Sequence, residues 1–499
     1  MKSKRPRRRS PADTVAPVPA DVTPGGTRRR AARDVAVQLV GRALNLALGI
    51  VVTAAVARAL GEDGFGEWST LLVVTQIAEY LAELGVEQVG VRKAASEKER
   101  EAEWMGAVVS LRSLISVPAT IVSAVAVVLL SNDDPMLAAG LLLSATVLLN
   151  GPASTRALLQ LRLRNDLNMV VITVNSVVWG AAAIVLAISG AGLVAFAVAF
   201  LAAACLTEAL QAGLALRVGR INLRAGRALL RELVSIGLPI AAGGLLILAY
   251  ARIDQILVFE LAGAREAGLY GAVYRLLEQS HFLPLAITTT FLPLVSAAHP
   301  ADPARTRRMV QLAGDYLAIG SFPALAFSLV AAEPFVRLVF GDDFSDAAPA
   351  LPVLMGAFVV ICLGYLMGNM VVVLTLQRRF MAYAACGLVF NVGLNFALVP
   401  EYGFVAAAWV TLATEILVVG LTARAVLGRL ELRPRFGRMA RTALAAGLMA
   451  GVVGLLNLAG APAVVLMAAT VVYPGFLFAL RALSLGEIRE LVGQRGAAV

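Results

Sequence analysis

Long apolar runs of about 20 residues dominate this sequence, and only short polar loops separate them. A helix of that length spans the hydrocarbon core of a bilayer, about 30 Å thick, because each residue adds about 1.5 Å. Of the 499 residues, 59% are hydrophobic and 15% are charged, whereas about a quarter are charged in an average soluble protein. The sequence therefore predicts an all-α integral membrane protein and argues against a soluble globular enzyme.

Fourteen apolar runs are long enough to be transmembrane helices. We place them at 36–59, 69–91, 106–130, 136–159, 169–188, 193–216, 234–261, 267–297, 309–332, 347–376, 380–399, 404–423, 440–459 and 463–481. With the N-terminus in the cytoplasm, 35 of the 43 Lys and Arg residues fall on inside segments and only three on outside loops. Membrane proteins keep basic residues on the cytoplasmic side. The distribution thus predicts a multi-pass membrane protein with both termini in the cytoplasm.

Three pairs of segments indicate an internal repeat. LGEDGFGEWS (Leu60–Ser69) aligns with AGAREAGLYG (Ala262–Gly271), which matches two glycines and places Trp68 opposite Tyr270. Further along, NDDPMLAAGLL and GLVAFAVAF align with GDDFSDAAPAL and GFVAAAWVT. The repeat is six spans long, so both copies have the same orientation. We expect two six-helix bundles with a cavity between them, followed by two C-terminal helices outside the repeat.

These boundaries define six predicted regions. They are a disordered basic cytoplasmic tail (1–35), an N-terminal six-helix bundle (36–216), a cytoplasmic amphipathic linker (217–233), a C-terminal six-helix bundle (234–428), two additional helices (429–482) and a cytoplasmic tail (483–499).

The sequence offers little for catalysis or for a cofactor. Its three cysteines lie inside apolar runs, its two histidines form no ligand cluster, and it contains no GxxxxGK[ST] loop. The longest outside loop has about fifteen residues, too few for a folded catalytic domain. We expect no metal site, no cofactor and no ATPase activity. The basic tail is expected to touch anionic lipid rather than nucleic acid.

Five arginines fall inside the predicted spans, where a charged side chain costs several kcal/mol unless it has a partner or a water-filled cavity. They are Arg42, Arg112, Arg156, Arg252 and Arg275. The first three lie near the cytoplasmic ends of their spans. There they either reach the interface or ring the inner mouth of the cavity. The last two lie roughly 12–14 Å from the outer ends of spans 7 and 8. They form either interhelical ion pairs or a binding site for a diphosphate.

Acidic residues also lie within the spans, and they either balance the arginines or couple transport to an ion. The candidates are Glu79, Glu83, Asp254, Glu278, Asp315 and Glu415. Glu79, Glu83 and Glu87 recur every four residues and are expected to share one helix face. Arg252 is expected to pair with Glu278, and Arg275 with Asp254. Asn391 and Asn395 are expected to form interhelical hydrogen bonds.

Three segments carry a resemblance to a known family: VARALGEDGFGEWSTLLVV, YARIDQILVFELAGAREAGLYGAVYRL and VFGDDFSDAAPALPVLMG. They resemble oligosaccharide flippases of the polysaccharide biosynthesis group, in the multidrug/oligosaccharidyl-lipid/polysaccharide exporter superfamily. The resemblance runs from about residue 36 to 480. It implies two six-helix bundles arranged as a V, alternating access, and movement of a lipid-linked sugar from the inner to the outer leaflet of the plasma membrane.

The resemblance implies a transporter rather than an enzyme. Its expected partners are a polyprenyl-diphosphate-linked oligosaccharide, membrane lipids and the polymerase and glycosyltransferases of surface polysaccharide assembly. A lipid II flippase of peptidoglycan synthesis is the nearest alternative, and a drug/cation antiporter of the same fold is another. A membrane glycosyltransferase would rest only on the acidic pairs of the outer loops, which are better explained as turn residues.

Overall fold

The computed structural model describes the side chains of residues 46–483, apart from 84, 165, 225, 239–240 and 457–468. Within the described part of the chain, every regular element is a helix, which confirms the predicted all-α class. The main helices are α1 (Pro24–Glu83), α2 (Val86–Ser96), α3 (Glu101–Leu130), α4 (Asp134–Thr146), α5 (Asn150–Ala153), α6 (Arg156–Leu161), α7 (Asn165–Ile188), α8 (Leu193–Val218), α9 (Arg227–Ala262), α10 (Ala264–Ser280), α11 (Phe282–Ala298), α12 (Pro303–Phe340), α13 (Ala350–Val373), α14 (Gln377–Leu430), α15 (Gly437–Asn457) and α16 (Pro462–Ala479).

All fourteen predicted spans overlap helices of the structure, although the helices are divided differently. Helix α1 contains the first two spans and turns at Gly61, whose φ is 68°. Helix α14 contains the eleventh and twelfth spans and turns at Gly403, whose φ is 61°. Glycine adopts such angles without the strain that a side chain would add. Among the described residues, nine helices are long and apolar enough to cross a membrane, or ten if the bent α9 counts as one. The chain is a multi-pass membrane protein.

One prediction about local structure is wrong. Helix α1 ends at Glu83, Gly85 takes a left-handed conformation with φ 61°, and Glu87 lies in the first turn of a separate helix, α2, which begins at Val86. The three glutamates therefore do not share one face of a continuous helix. The predicted linker (217–233) contains the end of α8 at Val218 and the start of α9 at Arg227. There the linker backbone packs against α3, with the Asn222 N–H donating to the Ala102 carbonyl at 2.9 Å.

The two repeats contact each other at their matching glycines. A Cβ atom on Gly66 would overlap the carbonyl of Ala264, and a Cβ on Gly268 would overlap the carbonyl of Glu62. Each glycine thus makes room for the backbone of the other repeat. The sequence alignment matched these positions, and the structure places them face to face. We call this region, which also contains the turns at Gly61 and Gly263, the glycine-turn end of the molecule.

The two C-terminal helices pack on the second half of the chain. Helix α15 lies along α12 and against α16, and these helices share a small apolar core that includes Met449 and Leu477. The Tyr473 hydroxyl donates to the carbonyl of Ile319 at 2.6 Å, which fixes α16 to α12. None of the described side chains of α15 and α16 lines the polar cavity described below.

Replacing Gly66 with Ala is expected to destabilise the protein by about 1–3 kcal/mol, because the new methyl group must push two backbones apart. Thermal unfolding of the purified protein in detergent measures the effect as a lowered midpoint. Gly213→Ala in α8 is the matched control, since no atom lies within 4 Å of a Cβ built there. Equal midpoints for the two variants would contradict the close approach of the repeats.

Candidate functional site

The second half of the chain contains a cavity of about 560 Å³. Its walls come from α9, α10, α13 and α14, together with His281, which joins α10 to α11. Tyr80 of α1 is the one lining residue from the first half, and its hydroxyl lies against Gly244 of α9, which has no side chain in the way. We call this space the central cavity. The sequence predicted a cavity between two bundles, whereas this one lies mainly within the second and meets the first at Tyr80.

Arginine and glutamate side chains form a charged group at one wall of the central cavity. Arg252 and Glu278 both line it and form an ion pair, as the sequence predicted. Glu278 also accepts a hydrogen bond from Arg275 at 2.9 Å. The guanidinium of Arg252 lies 5.7 Å from the centre of the Tyr274 ring, close enough for a cation–π contact. Two cations thus share one anion, and the group carries a net positive charge next to the cavity.

Asp254 lies in a different environment from the one predicted, because its partners are neutral. Its Oδ2 accepts hydrogen bonds from Thr411 at 2.6 Å and from the Tyr270 hydroxyl at 3.2 Å. Its Oδ1 accepts one from the side-chain amide of Asn395 at 2.9 Å. The predicted pair with Arg275 is wrong, since among the described residues Arg275 bonds to Glu278. A buried carboxylate therefore has three hydrogen bonds from neutral groups, and none of the described residues forms an ion pair with it.

Several side-chain oxygen atoms lie close to the Asp254 carboxylate. The side-chain oxygen of Asn395 is buried without a hydrogen-bond partner, and the Asn395 amide also bonds to Asn391 within the same arm of α14. The predicted interhelical bonds run from Asn395 to Asp254 and from the Asn391 amide to Thr414 at 3.4 Å. Asp254 borders a pocket of about 10 Å³, close to the smallest space that holds a water molecule. We call Asp254, Tyr270, Asn391, Asn395 and Thr411 the Asp254 cluster. It joins α9, α10 and both arms of α14, and Asn391 and Thr411 also line the central cavity.

Glu415 lies one helical turn beyond Thr411 and is buried on the wall of the central cavity. No described residue forms an ion pair with it. With Asp254 it gives the second half of the chain two buried carboxylates close to the same cavity, both on the predicted list of ion-coupling or charge-balancing residues.

In the first half, the predicted cavity residue Arg112 is sealed inside the protein. Its side chain is 2% exposed and donates to Glu87 at 2.8 Å and to Asn150 at 2.7 Å. Arg156 donates to the same glutamate at 2.9 Å but is 42% exposed, and it lies 4.0 Å from Glu83. Glu87 is thus shared by two arginines. This group ties α2 to α3 and α6, and Arg112 does not face the central cavity.

Of the remaining predicted residues, Arg42 lies outside the residues whose side chains the structure describes. Glu79 and Asp315 do not line the central cavity. Glu79 accepts a hydrogen bond from Thr146 at 3.5 Å. Asp315 on α12 accepts one from Gln311 at 2.9 Å. Sequence reasoning missed the hydroxyl groups of Tyr270 and Thr411. The repeat alignment contained both residues, but it indicated turns rather than a buried polar site.

Polar contacts tie the two halves together at the glycine-turn end. Arg265 of the second half bonds to Glu62 of the first, and to Asp346 at 2.8 Å. Arg58 of the first half donates to the carbonyl of Leu338 at 2.7 Å. A further bond at 2.9 Å runs from the Phe404 N–H to Glu266, which caps the second arm of α14. These contacts hold the two halves of the chain together at the predicted outer side of the membrane.

Comparisons with known proteins agree on the family and the fold. A family model described as "Polysaccharide biosynthesis protein" matches residues 55–349. The chain is 24% identical over 207 residues to the "Probable flippase AglR" of Haloferax volcanii, a match that spans 41% of this chain and 43% of that relative.

Two solved structures share the fold at low sequence identity. A lipid II flippase, MurJ, in an inward closed conformation has a TM-score of 0.73 and 12% identity, covering 88% of this chain and 97% of that one. An inward-facing multidrug resistance transporter of the MATE family has a TM-score of 0.66 and 14% identity, covering 77% and 94%. At such identities the likeness concerns the fold alone, and it confirms the predicted exporter architecture.

Proposed function

Because the chain belongs to the polysaccharide biosynthesis protein family, we propose that it is a flippase for a polyprenyl-diphosphate-linked oligosaccharide. It moves this lipid from the inner to the outer leaflet of the plasma membrane, by alternating access, for surface polysaccharide assembly. The protein is a transporter, and no covalent chemistry is part of this proposal. Polysaccharide polymerase and glycosyltransferases are the partners we expect around it.

The observation that carries the proposal is the cationic wall of the central cavity. A cavity of about 560 Å³ is in the range that small-molecule sites occupy, about 300–1,000 Å³. It has room for part of a hydrated sugar head group, and Tyr250, Tyr365 and Asn369 offer aromatic faces and an amide to it. Such a mixture of apolar surface with a few polar groups suits a glycan next to a lipid.

Arg252 is the residue we assign to the diphosphate. Its guanidinium pairs with phosphate oxygens through two parallel N–H groups, a geometry that a lysine does not offer. Glu278 holds Arg252 while the site is empty and can remain paired with Arg275 when a diphosphate takes its place. In both states each arginine keeps an anionic partner, so neither state leaves a bare cation in a low-dielectric region.

The Asp254 cluster is the part of the site that we assign to a coupling ion. One carboxylate, two hydroxyl oxygens and the unpartnered oxygen of Asn395 form an oxygen-rich set, which is the ligand type that hard cations prefer. A proton on Asp254 would satisfy the same carboxylate. Since the cluster joins α9 to both arms of α14, its occupancy would change how these helices pack beside the central cavity. A change in ion occupancy would therefore change the conformation of the cavity that binds the glycolipid, which couples transport to an ion gradient.

Alternating access requires the contacts at the glycine-turn end to open. In the structure the halves touch there through Gly66 and Gly268 and through the Arg265–Glu62 ion pair. Exposed ion pairs contribute only about 0–1 kcal/mol each, so a few kcal/mol from ion and substrate binding suffice to separate them. The backbone contact itself has no side chains to rearrange.

A lipid II flippase is the second candidate, and the observation that favours it is the fold likeness to MurJ over 88% of this chain. Its cargo also carries a polyprenyl diphosphate, so the same cationic wall serves both candidates. The family match favours the oligosaccharide. Reconstituted protein offered both lipids would separate the candidates by which one it moves faster.

Replacing Arg252 with Gln is expected to lower the rate of glycolipid translocation at least about tenfold, because the loss of a charged hydrogen bond costs about 1.5–3 kcal/mol. The assay follows a fluorescent lipid-linked oligosaccharide across vesicles that contain the purified protein. Arg337→Gln is the control, since that exposed arginine pairs only with acidic residues near its own helix end. Normal flux at normal expression would remove Arg252 from the mechanism.

Replacing Asp254 with Asn is expected to abolish the response of translocation to an imposed Na⁺ or proton gradient, because the amide neither carries a charge nor takes up a proton. Slow movement without a gradient should remain. Vesicles are tested with each gradient in turn, and Asp343→Asn, at an exposed loop position, is the matched control. A variant that still responds to either gradient as the wild type does would refute the coupling role.

A further inference from the structure

A second concave site lies between the two arms of α14, far from the turn at Gly403. Arg379 and Tyr383 stand on the first arm, and Arg424 and Arg429 on the second, around a cavity of about 450 Å³. Residues 45 positions apart in one helix meet here because the helix folds back on itself at Gly403. We call this site the hairpin pocket. Its floor is formed by Leu421, Ala425 and Gly428.

The hairpin pocket carries an unbalanced positive charge. Within the described part of the chain, none of Arg379, Arg424 and Arg429 has a carboxylate within 4.0 Å or a hydrogen-bonded partner, and all three are exposed. The arginines inside the helical bundles behave differently, because Arg112, Arg156, Arg252 and Arg275 are each paired with a glutamate. Three like charges around one hollow repel each other unless an anion lies between them.

The predicted span boundaries place the pocket at the depth where lipid phosphates lie. Arg379 directly precedes the predicted span 380–399, and Arg424 directly follows the predicted span 404–423, both on the predicted cytoplasmic side. The Tyr383 hydroxyl adds a donor at this level, where tyrosine is common in membrane proteins. The space beside Gly428 is open, since no atom lies within 4 Å of a Cβ built on it.

We propose that the hairpin pocket binds the phosphate group of an anionic phospholipid from the cytoplasmic leaflet. The three guanidiniums supply paired N–H donors for phosphate oxygens, and Leu421 and Ala425 lie beside the start of the acyl chains. A bound lipid holds the two arms of α14 together. These arms carry Asn395 and Thr411 of the Asp254 cluster, so the lipid would steady the helices on which that cluster depends.

The test measures binding of a fluorescent phosphatidylglycerol to the delipidated full-length protein in detergent, with a fluorescent phosphatidylcholine as the neutral lipid. Each arginine near a lipid phosphate contributes about 1 kcal/mol, so R379Q/R424Q/R429Q should bind phosphatidylglycerol about a hundredfold more weakly. The control R217Q/R220Q/R224Q removes the same charge from exposed linker positions and should change binding less than about threefold. Arg424→Gln alone, expected to weaken binding about fivefold, serves if the triple variant does not fold.

Several results would overturn the proposal. Equal losses in the two triple variants would mean that lipid binds through diffuse charge. Displacement of the probe by millimolar inorganic phosphate would mean that the pocket takes free phosphate. Displacement by a small amount of polyprenyl diphosphate, with phosphatidylglycerol ineffective as a competitor, would assign the pocket to the transported lipid. Because the assay involves no transport, its result is independent of whether the chain proves to be a flippase.

Discussion

The energetic cost of a charge inside a membrane determines which contacts the charged side chains of this protein must make. Each buried arginine in the helical bundles is paired, but the pairs differ in what surrounds them. Arg112 is sealed between Glu87 and Asn150, where it ties helices together. Arg252 has its partner on the wall of a cavity, where an anion can replace that partner. Pairing therefore makes both charges tolerable, and access to a cavity is what distinguishes a binding residue from a structural one.

The two repeats use equivalent positions for different purposes. Trp68 in the first half stacks on Trp179 at 5.8 Å and meets Phe200 edge-on at 5.9 Å, so it belongs to an aromatic core. Its counterpart Tyr270 sends its hydroxyl to Asp254 and Thr411. The first half is therefore mainly a packed support near this position, whereas the second half carries the polar groups. Under the proposed coupling role of Asp254, this asymmetry would let the second repeat respond to an ion while the first keeps its shape.

Much of the fold could be predicted from the sequence, and the site only in part. The length of apolar runs located the helices because it is a local property. The repeat alignment matched Gly66 with Gly268 but did not predict that these glycines contact each other. The Arg252–Glu278 pair was predictable because the residues lie on adjacent spans at similar depth. The Asp254 cluster was not, since Thr411 lies 157 residues away and neutral donors give no charge signal. The orientation in the membrane stays a prediction, which rests on the distribution of basic residues.

The central claim is that the cavity wall at Arg252 receives a lipid diphosphate. A structure of the protein determined by electron cryomicroscopy in nanodiscs with a bound lipid-linked oligosaccharide tests it most directly. The account predicts diphosphate density about 3 Å from the Arg252 guanidinium, with Glu278 still bonded to Arg275. An unchanged Arg252–Glu278 pair, with the diphosphate bound at Arg156 or outside the central cavity, would contradict it.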